Sequence, residues 1–224
     1  MNRKKKFIEF MLDSKVLMFG DFTTKSGRKT PYFINTGNYT TGFQLLTLGE
    51  FYAEAIESNF GSEVTNLFGP AYKGIPIGTS AGSALSRLYQ RDITVSFNRK
   101  EVKDHGEGGW LLGFNYAKSS KPEKVVIVED VTTAGTSVRE SIPHIIEHKN
   151  VQVIGLVISV DRKEKGRGEI SALQELQEEF GIKTISLVDI SDILTYLSSE
   201  VALGKIDQIL LDRMYACREK FGVE

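Results

Sequence analysis

The chain has 224 residues and a formal net charge of −1, which excludes a nucleic-acid binder that works by bulk charge alone. Hydrophobic residues make up 41% and charged residues 25%, the usage of an ordinary globular protein, and the length suits one large domain with a small appendage. Cys217 is the single cysteine, so no intrachain disulfide can form, and no apolar run approaches the length of a membrane span.

The basic run Asn2 to Lys6 looks like the start of a signal peptide, but Glu9 and Asp13 interrupt the apolar segment that would follow. The cytoplasm is therefore the expected compartment. Lys5 to Ser14 reads as an amphipathic helix, and Phe22 to Gly37 as extended and turn-rich. Leu45 to Phe60 is helical, with Leu45, Leu48, Phe51, Tyr52, Ala55 and Ile56 on one face. Val64 to Phe68 is a short strand ending in Gly69-Pro70. A helix follows from Ile75 to Tyr89, with Pro76 tolerated in its first turn. Asp92 to Phe97 is a strand, and Lys100 to Gly109 a polar loop with three glycines.

Val125 to Val128 is a β-branched run of the kind found in buried parallel strands. A helix then runs to about His148. Val151 to Val160 is a long strand, Glu169 to Phe180 a helix and Thr184 to Asp189 a strand. Ser191 and Gly204 open two final helices. Alternating strands and helices imply an α/β fold with a mostly parallel sheet and helices on both faces. The segment before about residue 60, with the tail, is expected to form a small cap on a single domain spanning 1–224.

Four segments carry chemistry. The run from Val125 ends in Glu129-Asp130, and Val131-Thr132-Thr133-Ala134-Gly135-Thr136-Ser137 follows. The acid pair falls at a strand's carboxyl end, where open α/β sheets bind ligands. The small residues behind it can turn N–H groups and hydroxyls toward a phosphate at a helix N-terminus. Carboxylates repel phosphate, so Glu129 and Asp130 should face sugar hydroxyls or a metal. A ligand with a phosphate at one end and a diol about one sugar away meets both demands. This stretch resembles the 5-phosphoribosyl 1-pyrophosphate (PRPP) motif of the type I phosphoribosyltransferases.

The second segment, Lys25-Ser26-Gly27-Arg28-Lys29-Thr30-Pro31-Tyr32-Phe33-Ile34, is a basic turn ending in aromatics. It is similar to the amino-terminal substrate motif of the orotate phosphoribosyltransferases. The resemblance implies that Lys25 reaches substrate and that Phe33 and Ile34 lie against the orotate ring and bind it through backbone groups. Many relatives carry a second Phe where this chain has Ile34. The third, Gly69-Pro70-Ala71-Tyr72-Lys73-Gly74, matches the family's pyrophosphate loop at Tyr72 and Lys73, where a cis non-proline peptide sometimes occurs. The fourth, Arg99-Lys100-Glu101-Val102-Lys103-Asp104-His105, carries a net charge of only +1, three basic residues minus two acidic, so placement rather than bulk attraction must matter. It is similar to the family's catalytic loop, which closes over pyrophosphate and serves the neighbouring subunit's site. The resemblance assigns Arg99, Lys100, Lys103 and His105 to PRPP, and makes Lys103 and His105, with Glu129 and Asp130, the catalytic group.

Asp161-Arg162 ends the long strand. An arginine there can grip a carboxylate bidentately. The family places one against the carboxylate of orotate, and Thr133 also reaches the base. The resemblance implies a type I phosphoribosyltransferase-like fold, transfer of a phosphoribosyl group from PRPP to orotate, and a homodimer. Mg²⁺ should arrive on PRPP, with no dedicated protein metal site. No nucleic-acid or membrane partner is expected. A transferase for another base and a non-catalytic PRPP-sensing regulator are the alternatives.

Overall fold

Two β-sheets organise the chain. The computed structural model describes residues 3–24, 27, 29–101, 109–114, 122–131, 134–148 and 150–223. The smaller sheet is an antiparallel hairpin of β1 (Leu17–Thr23) and β2 (Lys29–Ile34), paired from Leu17↔Ile34 to Thr23↔Lys29. The larger sheet comprises β3 (Asn66–Phe68), β4 (Thr94–Asn98), β5 (Leu111–Leu112), β6 (Glu123–Glu129), β7 (Val151–Asp161) and β8 (Lys183–Asp189). Their order is β5-β4-β3-β6-β7-β8, parallel except where β5 meets β4. The helices are α1 (Arg3–Asp13), α2 (Gly42–Phe60), α3 (Gly74–Tyr89), α4 (Thr136–Ile146), α5 (Ala172–Phe180), α6 (Ile190–Ala202) and α7 (Gln208–Phe221).

The apolar run of β6 shows why the sheet is covered on both faces. Successive side chains of a strand point to opposite sides. Val126 and Val128 join a core with Leu48, Tyr52 and Ile56 of α2 and Leu85 of α3. Val125 and Ile127 join a second core with Ile142 and Ile145 of α4 and Leu173 and Leu176 of α5. All four β6 side chains are fully buried. Each such burial contributes about 1.5–3 kcal/mol. The α2 face read from the sequence is the packed one, with Leu48, Tyr52, Ala55 and Ile56 buried. Its start is fixed by a capping box in which Thr41 and Gln44 satisfy each other's backbone N–H groups.

Several boundaries differ from the sequence reading. Helix α5 begins at Ala172, not Glu169, because the Ser171 side chain caps it by accepting from Gln174 N. Ile170 lies outside, its carbonyl accepting from Gly166 N at 2.9 Å. The last helix starts after Asp207, whose side chain accepts from Ile209 N, whereas Gly204, at φ +70°, closes the turn after α6. Strand β1 begins at Leu17, ahead of the expected extended region, and the two-residue β5 was not anticipated.

Topology places the site. From β3 the chain crosses through α3 to β4 on one side; from β6 it crosses through α4 to β7 on the other. The switch point therefore lies between the carboxyl ends of β3 and β6, where open sheets leave a crevice.

Candidate active site

The carboxyl end of β6 delivers Glu129 and Asp130 into that crevice. Both are nearly buried, at 7% and 9% exposure. Asp130 Oδ2 accepts from the Thr36 hydroxyl at 2.5 Å and from Lys73 Nζ at 2.9 Å. Glu129 is held from three directions. Its Oε1 accepts from Asp130 N at 3.1 Å and its Oε2 from Ser137 Oγ at 2.8 Å. Its carbonyl accepts from the buried Tyr52 hydroxyl at 2.6 Å, which also meets Ser159 Oγ at 2.8 Å. The end of β6, the start of α4 and helix α2 thus fix Glu129, as Thr36 and Lys73 fix Asp130.

Burial pushes the Glu129 carboxyl up from its ordinary 4.5 to about 7, and the negative Asp130 beside it adds to the shift. The native state therefore keeps a proton that the unfolded chain releases above about pH 4.5. Stability from this group is full below that pH and is lost as the pH rises through 7. We expect the denaturant midpoint to fall between about pH 5 and about pH 8, and Glu129→Gln to flatten that fall. An unchanged slope in Glu129→Gln would remove Glu129 as its source.

The loop after β3 brings Tyr72 and Lys73 to the same place. Gly69 N donates to Ser96 O at 2.9 Å, Ala71 N to Asn98 Oδ1 at 2.7 Å and Gly74 N to Pro70 O at 2.9 Å. The Ala71–Tyr72 peptide bond is cis. Tyr72 is 68% exposed, and Lys100 Nζ lies 4.8 Å from the centre of its ring. The Lys73–Asp130 ion pair joins a side chain 56% exposed to one 12% exposed. Lys73 is the exposed partner of the pair, so its Nζ is accessible to an anion that approaches from the crevice. A cavity of about 200 Å³ opens alongside, lined by Thr36, Leu45, Tyr72, Lys73, Pro76 and Ile77 among others.

Helix starts complete the crevice. Side chains cap α2, α5, α6 and α7, through Thr41, Ser171, Asp189 and Asp207. The N-cap residues of α3 and α4, Lys73 and Gly135, supply no side-chain cap. These two helices begin at the crevice, and beyond Gly74, whose N–H is held by Pro70 O, their first-turn N–H groups are suited to an anion. Gly135 has φ +65°, and a Cβ there would stand 2.9 Å from a Leu176 methyl carbon. Ala134 precedes Gly135, Thr136 and Ser137 open α4, and Val131 directly follows the acid pair. The Ala134 carbonyl accepts from Arg139 Nε at 3.2 Å, and Arg139 is anchored on Glu175 at 2.7 Å and on Glu179.

Arg162 follows β7 beneath the hairpin. Its guanidinium contacts Tyr32 and Glu164. Phe33, next to Tyr32, is 39% exposed and stacks on Phe22 at 5.5 Å, while Ile34 packs on the main core. The Arg99 backbone N–H donates to Trp110 O at 2.8 Å. Lys25, Lys103, His105, Thr132 and Thr133 lie outside the described residues. Among the described residues no three His, Cys, Asp or Glu side chains gather in a way that could hold a metal ion, and no helix is long and apolar enough to cross a membrane.

The sequence reading brought together Glu129, Asp130, Tyr72, Lys73 and Ser137. Outside that reading are Thr36 and Tyr52, which hold the acid pair, Asn98, which holds Ala71 N, and Arg139, which holds the Ala134 carbonyl. Asn98 had a local signal, since it ends β4 directly before the basic loop. Thr36 and Tyr52 have none, because each acts across the fold.

A β3 loop and a β6 acid pair facing uncapped helix starts define a phosphoribosyl-transfer fold. Residues 35–184 match the family model for the phosphoribosyl transferase domain. A Clostridium acetobutylicum orotate phosphoribosyltransferase is 52% identical over 223 residues, 99% of this chain and 98% of its own length. One from Salmonella paratyphi A is 49% identical over 220 residues, 98% of each. The crystal structure of the Francisella tularensis orotate phosphoribosyltransferase superposes with a TM-score of 0.83 at 34% identity, covering 99% of this chain and 98% of that one. The chain belongs to the orotate phosphoribosyltransferase family.

Proposed function

We infer that the chain transfers the 5-phosphoribosyl group of PRPP to orotate, giving orotidine 5′-monophosphate and pyrophosphate, in pyrimidine nucleotide synthesis. The observation that carries this reading is the buried acid pair Glu129 and Asp130 set between Lys73 and the α4 N-terminus. As the bond from the anomeric carbon to pyrophosphate oxygen breaks, the sugar becomes cationic. The orotate ring nitrogen attacks the opposite face with its electron pair, and pyrophosphate leaves with the pair of the broken bond. No protein nucleophile is needed. The protein positions the reactants and stabilises charge.

Val131 to Ser137 take the 5-phosphate, with the helix start behind them. Glu129 and Asp130 take the ribose hydroxyls and favour positive character on the sugar. Tyr72, Lys73, Arg99, Lys100, Lys103 and His105 neutralise the leaving pyrophosphate, and Lys25 reaches substrate. Phe33, Ile34, Thr133 and Arg162 receive orotate. The hairpin that carries Phe33 lies outside the 35–184 family match, which supports a role in base choice. Mg²⁺ travels on PRPP and offsets its phosphate charge. The committed state of Asp130, already shared by Thr36 and Lys73, suits a sugar contact better than a resident metal.

The enzyme works as a cytoplasmic homodimer whose basic loop closes over the partner's site. Exposed Phe43 (76%) and Leu46 (44%) on α2 supply an apolar surface for subunit contact. The test is ultraviolet loss of orotate with PRPP and Mg²⁺, with hypoxanthine, adenine and uracil in parallel. Consumption of orotate dependent on both PRPP and Mg²⁺ is the expected result. Turnover of another base alone would discard the role of Arg162. Tight PRPP binding without turnover of any base would make the chain a PRPP sensor.

A further inference from the structure

Arg162 belongs to a closed ring of side chains that ties the two sheets together. Its Nε donates to the Tyr32 hydroxyl at 3.2 Å and its Nη2 to Glu164 Oε1 at 2.7 Å. The Tyr32 hydroxyl donates to the same Glu164 oxygen at 3.2 Å. Tyr32 is 3% exposed, and the Arg162 and Glu164 side chains are 16% and 15% exposed.

A guanidinium offers carboxylates two edges. One pairs Nε with Nη2, and the other pairs the two terminal nitrogens. Here the first edge is committed to protein. The ring is also backed from behind. Glu164 bridges to Gly222, Val223 N donates to Lys163 O at 2.7 Å, and Lys163 Nζ pairs with Asp189 at 2.9 Å. Lys163 itself sits at φ +46°, and its N–H donates to Asp161 Oδ1 at 2.8 Å. The chain therefore turns sharply after β7, and the turn leans on Gly222 and Val223, just past α7.

We propose that Tyr32 and Glu164 are positioning residues that set base specificity, by fixing Arg162 so that a substrate carboxylate meets its two terminal nitrogens. This rests on the reading of Arg162 as the partner of orotate's carboxylate. Glu164 balances the arginine's charge in the free protein, which avoids a buried unpaired cation. Recognition then depends on two coplanar oxygens reaching the terminal edge, more than on net charge. Tyr32 links the device to the hairpin, so the orientation of the guanidinium is set from both sheets.

The test is steady-state kinetics of Tyr32→Phe, Glu164→Ala, Glu164→Gln and Arg162→Ala with each substrate varied. Tyr32→Phe and Glu164→Ala should each raise KM for orotate about tenfold or more while KM for PRPP stays within about twofold. Glu164→Gln, which keeps an oxygen acceptor, should recover most of that loss. An unchanged or lowered orotate KM in Tyr32→Phe and Glu164→Ala overturns the proposal, as does an equal loss for both substrates. If Glu164→Ala does not fold, Tyr32→Phe decides alone. Arg162→Ala separates the two layers. An unchanged orotate KM there removes the carboxylate reading itself, whereas a rise there without one in Tyr32→Phe and Glu164→Ala removes only the positioning role.

Discussion

Asp130→Asn is expected to lower kcat by about 10²–10³-fold, the usual cost of losing one preorganised charge contact at a reacting centre. The carboxylate is 9% exposed and fixed by Thr36 at 2.5 Å and Lys73 at 2.9 Å. Its charge therefore acts in a poorly solvated site and needs no reorganisation as the sugar turns cationic. Asparagine is nearly the same shape, and its amide oxygen can still accept from Thr36. What disappears is the negative charge. KM for PRPP should change much less than kcat, because Lys73, released from its ion pair, remains for pyrophosphate. Rapid-quench measurement of a single turnover isolates the chemical step. A kcat within about threefold of wild type would show that Asp130 contributes no charge stabilisation.

Gly69→Ala is expected to cost about 1–3 kcal/mol of stability and to weaken PRPP binding further. A Cβ at Gly69 would stand 2.1 Å from the Gly74 carbonyl oxygen and 2.5 Å from its carbon. These are backbone atoms at the start of α3 and cannot swing aside as a side chain would. The 69–74 loop must move, and with it Tyr72, Lys73 and the first N–H groups of the helix. Gly42→Ala is the matched control, because nothing lies within 4 Å of its Cβ position and its φ is ordinary. Urea unfolding together with KM for PRPP reads both effects. Equal behaviour of the two variants would mean that the close approach of Gly69 to Gly74 places nothing.

The parts of the site that were legible in the sequence are those written in consecutive residues. An apolar run ending in two acids announces a buried strand with a functional end, and the strand and its burial follow as expected. Gly69-Pro70 after a strand and before a helix pointed to Lys73. The supports were not legible, because they are contacts between distant positions. Thr36 is 94 residues from Asp130, Tyr52 is 107 from Ser159, and Tyr32 is 130 from Arg162. Each such residue looks locally like an ordinary turn or core position. The boundary errors at Ser171 and Asp207 have a local cause. Apolar spacing continued past each true start, and the capping side chain, rather than periodicity, decided where the helix began.

The N-cap residues of α3 and α4, Lys73 and Gly135, lend no side chain to the helix starts they open. A capping side chain is worth about 1 kcal/mol to the helix that carries it. The free enzyme forgoes that gain at the two helix starts that face the crevice. On the proposed reading, a substrate phosphate docked there would meet first-turn N–H groups and would act as an exchangeable cap. Affinity and local fold stability are then one quantity seen from two sides. A side-chain cap at these starts would compete for the same donors, and at Gly135 the φ of +65° and the Leu176 methyl carbon 2.9 Å from a Cβ keep one out.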